Sequence, residues 1–211
     1  MDKFSQLIHT GFEVDKATGA ANVPIYQTSL FDQPGLYETG AYDYARSGNP
    51  TRGAAEGAIA KLEGAAGAYC FGSGMAAITA VFLTLSAGDH VVLTDDCYGG
   101  TFRVLTRVFS RLGITWTFVD TSDVAATAAA IRPETKMLYV ESVSNPFLKV
   151  TPIPPMAEIA KRHGIRLVVD NTLLSPWFSR PLEEGADIVL HSATKFLGGH
   201  SDIMAGVVAA K

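Results

Sequence analysis

The stretch Ala68-Tyr69-Cys70-Phe71-Gly72-Ser73-Gly74-Met75-Ala76-Ala77 decides the fold class. A short apolar run bounded by glycine reads as a buried strand, and the longer run from Gly74 to Leu85 reads as a helix that begins where the strand ends. The alternation then repeats. Val91 to Thr94 precedes a helix over Thr101 to Leu112, with Phe102, Leu105, Phe109 and Leu112 at helical spacing. Trp116 to Val119 leads to Val124 to Ile131, and Met137 to Glu141 leads through a loop to Pro155 to His163. Arg166 to Asp170, Ile188 to His191 and Val207 to Ala210 add further strands. Strands that are apolar almost throughout, joined by helices, indicate an α/β fold: a mostly parallel sheet with helices on both faces. Ligand groups in such a sheet gather beyond the carboxyl ends of the strands.

Residues 1–50 carry Gly19, Pro24, Pro34, Gly35, Gly40 and Gly48 without a helical or alternating period, which reads as an extended N-terminal arm with short turns. A core domain over 51–211 follows. Thr51 is placed to cap a helix through Leu62, with Ala55, Ile59 and Leu62 on one face and Gly64 stopping it. The sequence ends just after the last strand, so the domain is expected to continue in a longer protein with a C-terminal domain of its own.

Composition narrows the function classes. A hydrophobic fraction of 47% over 211 residues fills a sizeable core. Charged residues make up 18%, below the roughly 25% of soluble chains, which points to surface covered by further sequence or by other copies in an oligomer. A net charge of -4 offers no basic stripe for phosphates, so no nucleic acid is expected as partner. Cys70 and Cys97 have no CxxC spacing, which predicts neither a disulfide framework nor a metal site. No apolar run reaches the length of a membrane span, and Met1 to Thr10 has no basic-then-apolar leader, so a cytoplasmic protein is expected.

Polar residues of chemical interest fall at the strand ends. Gly74 and Met75 open a helix, where backbone N–H groups can meet an anion such as a phosphate; a tight glycine turn without a ligand reads equally well. Tyr98, after the next strand, can stack on a flat ring, act as acid or base, or simply flank a turn. Asn145 precedes Pro146 and is thereby extended, aimed at a cleft or part of a plain turn. Asp170 ends an apolar strand, where a carboxylate must be paired or hydrogen-bonded; it can hold a protonated pyridine nitrogen or cap a helix. Ser192 and Thr194 offer hydroxyls to the same anion or to local backbone. Lys195, between hydroxyls and glycines beyond a buried strand, is costly to desolvate unless its charge is offset, and a Schiff base to a carbonyl cofactor would do that. A surface lysine packing by its stem is the alternative.

Three pieces in order, Tyr42-Asp43-Tyr44-Ala45-Arg46-Ser47-Gly48-Asn49-Pro50-Thr51-Arg52, Asp170-Asn171-Thr172, and Ser192-Ala193-Thr194-Lys195 with Gly198-Gly199-His200-Ser201-Asp202, carry a resemblance. Together they resemble the fold-type I pyridoxal-phosphate (PLP) enzymes of cysteine and methionine metabolism, and they are most similar to the bacterial cystathionine lyases. The resemblance implies pyridoxal 5'-phosphate covalently bound to Lys195 and Asp170 keeping its ring nitrogen protonated. It implies Gly74, Met75, Ser192 and Thr194 around its phosphate, Tyr98 stacked on the ring and Asn145 on the phenolic oxygen. Tyr44 and Arg46 would reach the phosphate of a neighbouring subunit's cofactor, within a homo-oligomer built as a dimer of dimers.

The implied activity is carbon–sulfur bond cleavage in a sulfur-containing amino acid, cystathionine first, with cysteine or homocysteine as further substrates, by β- or γ-elimination. Lys195, Tyr98 and Asp170 are the implied catalytic residues. Gly100 stands where methionine gamma-lyases carry cysteine, which disfavours methionine. Asp43, beside Tyr44, can meet the distal ammonium of cystathionine across the subunit boundary or stand solvated on the arm. The alternatives are γ-replacement, as in cystathionine gamma-synthase or O-acetylhomoserine sulfhydrylase, and a cofactor-binding fragment without activity.

Overall fold

The computed structural model describes residues 3–11 and 14–211, and the chain divides into two compact units, Met1–Leu62 and Glu63–Lys211.

In the first unit the arm is more structured than its composition predicts. Helix α1 spans Lys3–His9. Its signal was Phe4, Leu7 and Ile8 at i, i+3 and i+4, a pattern too short to stand out beside the glycines that follow. Farther on, the arm doubles back on itself: Phe31 N–H donates to Asp43 C=O at 2.9 Å and Ala45 N–H to Ser29 C=O at 3.0 Å. The Gln33 amide holds the fold-back from inside, donating to Phe31 C=O and Tyr42 C=O and accepting from Gly40 N–H. Helix α2, Pro50–Glu63, starts one residue before the expected cap. Proline has its φ preset for the first helical position and no N–H to leave unpaired there. The capping oxygen is accordingly Asn49 Oδ1, 2.8 Å from Thr51 N. Thr51 Oγ1 instead accepts from Tyr26 N–H and donates to Pro24 C=O.

The second unit is a seven-stranded sheet in the order β1-β7-β6-β5-β4-β2-β3. Its strands are β1 Gly67–Phe71, β2 His90–Thr94, β3 Thr115–Val119, β4 Thr135–Glu141, β5 Arg166–Asp170, β6 Ile188–His191 and β7 Gly206–Ala210. Only β7 runs against the others, pairing antiparallel with β1 and β6. Every residue of β2 is buried, so both faces of the sheet are covered at its centre. The connecting helices are α3 Gly74–Phe82, α4 Gly99–Arg107, α5 Val124–Ala129, α6 Ile153–His163 and α7 Ser175–Phe178. The core gathers around Phe82, whose ring lies 5.5 Å from that of Phe109 and 5.3 Å from that of Tyr139.

Three helices end earlier than expected, among them α5, which stops at Ala129 rather than Ile131. α3 stops at Phe82, because the Thr84 hydroxyl donates to Val81 C=O and competes for the helical ladder. The stretch Thr101 to Leu112 breaks after Arg107 into a 3-10 turn over Phe109–Leu112. The tighter turn carries Phe109 into the core, and Gly113, at φ 79°, closes it in the left-handed region that suits glycine.

Strand order reverses at β2, which has β3 on one side and β4 on the other. This is the place where an open parallel sheet leaves a crevice at its carboxyl edge.

Candidate active site

The loop from β1 to α3 is shaped by what presses on it. Ser73 is extended and caps α3 through Oγ, which accepts from Ala76 N–H at 3.1 Å. The N–H groups of Gly74 and Met75 precede the helical ladder and point outward from the first turn. No side chain fits at Gly74: a Cβ would lie 2.7 Å from Ser192 Cβ and 2.8 Å from its Oγ. Nor does one fit at Gly206, where a Cβ would lie 2.1 Å from Ser73 O. Residues after β1, after β6 and at the start of β7 thus close on one another around bare backbone, the surroundings an anion needs.

Asp170 anchors the neighbouring strand end. Its Oδ1 accepts from Thr172 N–H at 3.1 Å and from Thr172 Oγ1 at 2.5 Å, and its Oδ2 accepts from the Tyr139 hydroxyl at 3.2 Å. Thr172 Oγ1 in turn accepts from Ser192 N–H at 2.8 Å. A chain of hydrogen bonds therefore runs from the buried carboxylate to the residue facing Gly74. Burial raises the Asp170 carboxyl above the usual carboxylate range, against the Thr172 hydrogen bonds that pull it down. A cationic ring nitrogen beside it would restore its charge.

Glu141 stands beside Asp170, their backbones paired across β4 and β5. It is pushed up to about 8 by burial and then by the Asp170 charge. Its Oε1 accepts from Tyr98 N–H at 2.6 Å. The Tyr98 ring lies against Gly100, where a Cβ would come 2.4 Å from Tyr98 Cε1 and 2.5 Å from Met75 Sδ. Met75 and Tyr98 thus converge on one glycine, with the tyrosine ring half-exposed.

The remaining expected residues behave differently. Asn145 is exposed, and its peptide to Pro146 is cis. Thr194 Oγ1 is engaged with local backbone, donating to Ala205 C=O and accepting from Ala205 N–H. Lys195 lies four residues past β6 in a turn closed by its own N–H to Ser192 C=O, and it is exposed. Its significance is therefore its position at the strand end; the desolvation expected of it does not occur in this chain. In the first unit, the Arg46 guanidinium sits 4.9 Å from the Tyr44 ring centre. Asp43 is exposed and accepts from Tyr44 N–H at 2.6 Å.

Sequence reading assigned no role to Glu141, Tyr139, Thr172 or the buried pair Glu63 and His191, whose Oε1 and Nε2 are 2.5 Å apart. The rule that singled out Asp170, an acidic residue ending an apolar strand, applies equally to Glu141. Tyr139 and Glu63 gave no such signal, since their partners are distant in sequence.

The residues present fit a phosphorylated, flat, cationic heterocycle. Gly74, Met75 and Ser192 would hold the anion, Tyr98 would cover the ring face, and Asp170 would pair with the ring nitrogen. Among the described residues no group of three or more His, Cys, Asp or Glu is arranged to hold a metal ion, and no helix is long and apolar enough to cross a membrane.

Comparison with known proteins agrees with this fit. The sequence pattern of the family described as Cys/Met metabolism PLP-dependent enzyme matches residues 5–211. A cystathionine gamma-lyase of Bacillus subtilis is 54% identical over 208 residues, 99% of this chain and 55% of that protein. A cystathionine beta-lyase of the same organism is 52% identical over 207 residues, 98% of this chain and 53% of that one. The crystal structure of cystathionine gamma-lyase from Lactobacillus plantarum complexed with L-serine superposes with a TM-score of 0.97 at 48% identity, covering 100% of this chain and 55% of that one. The chain thus spans about half the length of the relatives it matches.

Proposed function

This chain belongs to the Cys/Met metabolism PLP-dependent enzyme family, and from that membership we propose that it forms the cofactor-binding part of a cytoplasmic carbon–sulfur lyase acting on cystathionine. The single observation that carries the reading is the hydrogen-bonded path Asp170–Thr172–Ser192 ending at the glycine-walled cradle of Gly74. Pyridoxal phosphate, when bound, supplies an electron-withdrawing ring that stabilises negative charge at the substrate Cα.

The chain's own residues do the rest. Lys195 would hold the cofactor covalently and, with its amine free, would take the α proton of the substrate. Asp170 would keep the ring nitrogen protonated, and Thr172 and Tyr139 fix the orientation of that carboxylate. Gly74, Met75, Ser192 and Thr194 would hold the phosphate. Tyr98 would cover the ring, and Asn145 would meet the phenolic oxygen. Tyr44 and Arg46 serve the phosphate of a second subunit in a dimer of dimers, and Asp43 meets the distal ammonium of cystathionine. In β-elimination the electron pair released at Cα expels the thiol from Cβ; in γ-elimination a Cβ proton must also be removed before the thiol leaves Cγ, and the same residues serve both.

The test is product analysis with cystathionine. Pyruvate with homocysteine identifies β cleavage, and 2-oxobutanoate with cysteine identifies γ cleavage. Reaction only with an acylated homoserine and a thiol would replace the lyase reading by γ-replacement. Lys195→Ala is expected to abolish turnover and borohydride fixation of the cofactor, and full turnover in that variant would overturn the assignment.

A further inference from the structure

We infer that Glu141 is a positioning residue whose side chain clamps the Tyr98 backbone to the end of β4, and so sets where the covering ring stands relative to the cofactor. The inference rests on the cofactor site proposed above, but the clamp itself can be measured without a cofactor.

The Tyr98 N–H stands just ahead of α4, and Tyr98 is an N-cap residue without a side-chain cap of its own. Glu141 Oε1 takes that N–H from a different strand, 43 residues away, at 2.6 Å. The loop after β2 thus hangs from a buried side chain at the end of β4, across the reversal in strand order. Burying a carboxyl group is costly, and the hydrogen bond donated by Tyr98 offsets part of that cost.

The anchor is itself held. Glu141 N–H donates to Thr94 Oγ1, which is bonded to Thr121 Oγ1, which is bonded to Thr151 Oγ1, all in the interior. Outside the clamp, the loops are cross-linked by the Ser144 hydroxyl to Asp96 Oδ2 and by Lys149 to Asp95. These outer ties fix the loops after β2 and β4 to each other, whereas Glu141 fixes the Tyr98 loop to the sheet edge beside Asp170. A carbonyl oxygen at the same place accepts the same N–H, so the amide of glutamine preserves the clamp and a hydrocarbon side chain removes it.

The experiment compares wild type, Glu141→Gln and Glu141→Ala, with Glu141→Leu taking the place of alanine should the smaller side chain prevent folding. Amide hydrogen exchange at Tyr98 in cofactor-free protein is expected to be at least tenfold faster in the alanine or leucine variant and within threefold of wild type in the glutamine variant. Pyridoxal phosphate affinity, followed by its visible absorption band, is expected to fall at least tenfold with a displaced band in the alanine or leucine variant and to hold within threefold for glutamine. In a Tyr98→Ala background the same Glu141→Ala change should cost less than twofold further, because its effect passes through Tyr98. Unchanged exchange at Tyr98, glutamine as damaging as alanine, or a full tenfold loss added in the Tyr98→Ala background would each overturn the inference. Wild-type protein that binds no pyridoxal phosphate while the exchange pattern holds would instead overturn the proposed function and leave the clamp standing.

Discussion

Replacing Glu141 by glutamine should flatten the dependence of stability on pH between about 4.5 and 8. The carboxyl is 4% exposed and is pushed up from 4.5 to about 8, by burial first and by Asp170 second. The folded protein therefore keeps a proton here that the unfolded chain releases above about pH 4.5. Its contribution to stability is fully present below that pH, declines as the pH rises, and is lost once the folded protein titrates near 8. The interval from 4.5 to about 8, at about 1.4 kcal/mol per pH unit, sets a ceiling of roughly 5 kcal/mol. Asp170 shifts in the same direction for the same reason and remains in the variant. Glutamine keeps the acceptor for Tyr98 N–H and has nothing to ionise. Urea unfolding of the cofactor-free proteins at pH 5, 6, 7 and 8 reads the difference directly. Wild type should lose about 2 to 4 kcal/mol more than Glu141→Gln across that range, a shift of about 1 M or more in urea midpoint for a slope near 2 kcal/mol/M. Parallel curves would refute the argument, since they would mean that Glu141 is ionised in the folded protein at pH 5.

The other expectations concern the cradle and the core. Gly206→Ala places a Cβ 2.1 Å from Ser73 O and 2.9 Å from Gly74 N, both backbone atoms that can yield only by moving the loop. Pyridoxal phosphate affinity by fluorescence titration should fall at least tenfold, with about 1 to 3 kcal/mol of stability lost to overpacking. Phe82→Ala empties the space between Phe109 and Tyr139 and should cost about 3 to 5 kcal/mol by urea unfolding.

The parallel sheet was legible because its signal is local. Runs such as Val91 to Thr94 and Leu167 to Val169 are apolar on both alternating faces, and that composition has few stable outcomes besides a covered strand. Asp170 and Gly74 stood out as candidates for the same reason: an acidic residue closing an apolar run, and a glycine between a strand and a helix, are anomalies within a window of ten residues. The break after Arg107 did not. Helical spacing continues through Leu112, whereas the chain tightens into a 3-10 turn that sets the Phe109 ring against that of Phe82.

The amino-acid sequence by itself determined the order of strands and helices and the edge of the sheet where chemistry collects, because periodicity and chain punctuation act over a few residues. Only the tertiary structure decided which strand ends meet. The pairing of Glu141 with Asp170, the reach of Glu141 to Tyr98 N–H, and the approach of Gly206 to Ser73 depend on strands placed side by side across 29 to 133 positions of sequence. Hydrogen bonds and close contacts act over about 3 Å, and no spacing along the chain reports a distance that short between residues so far apart.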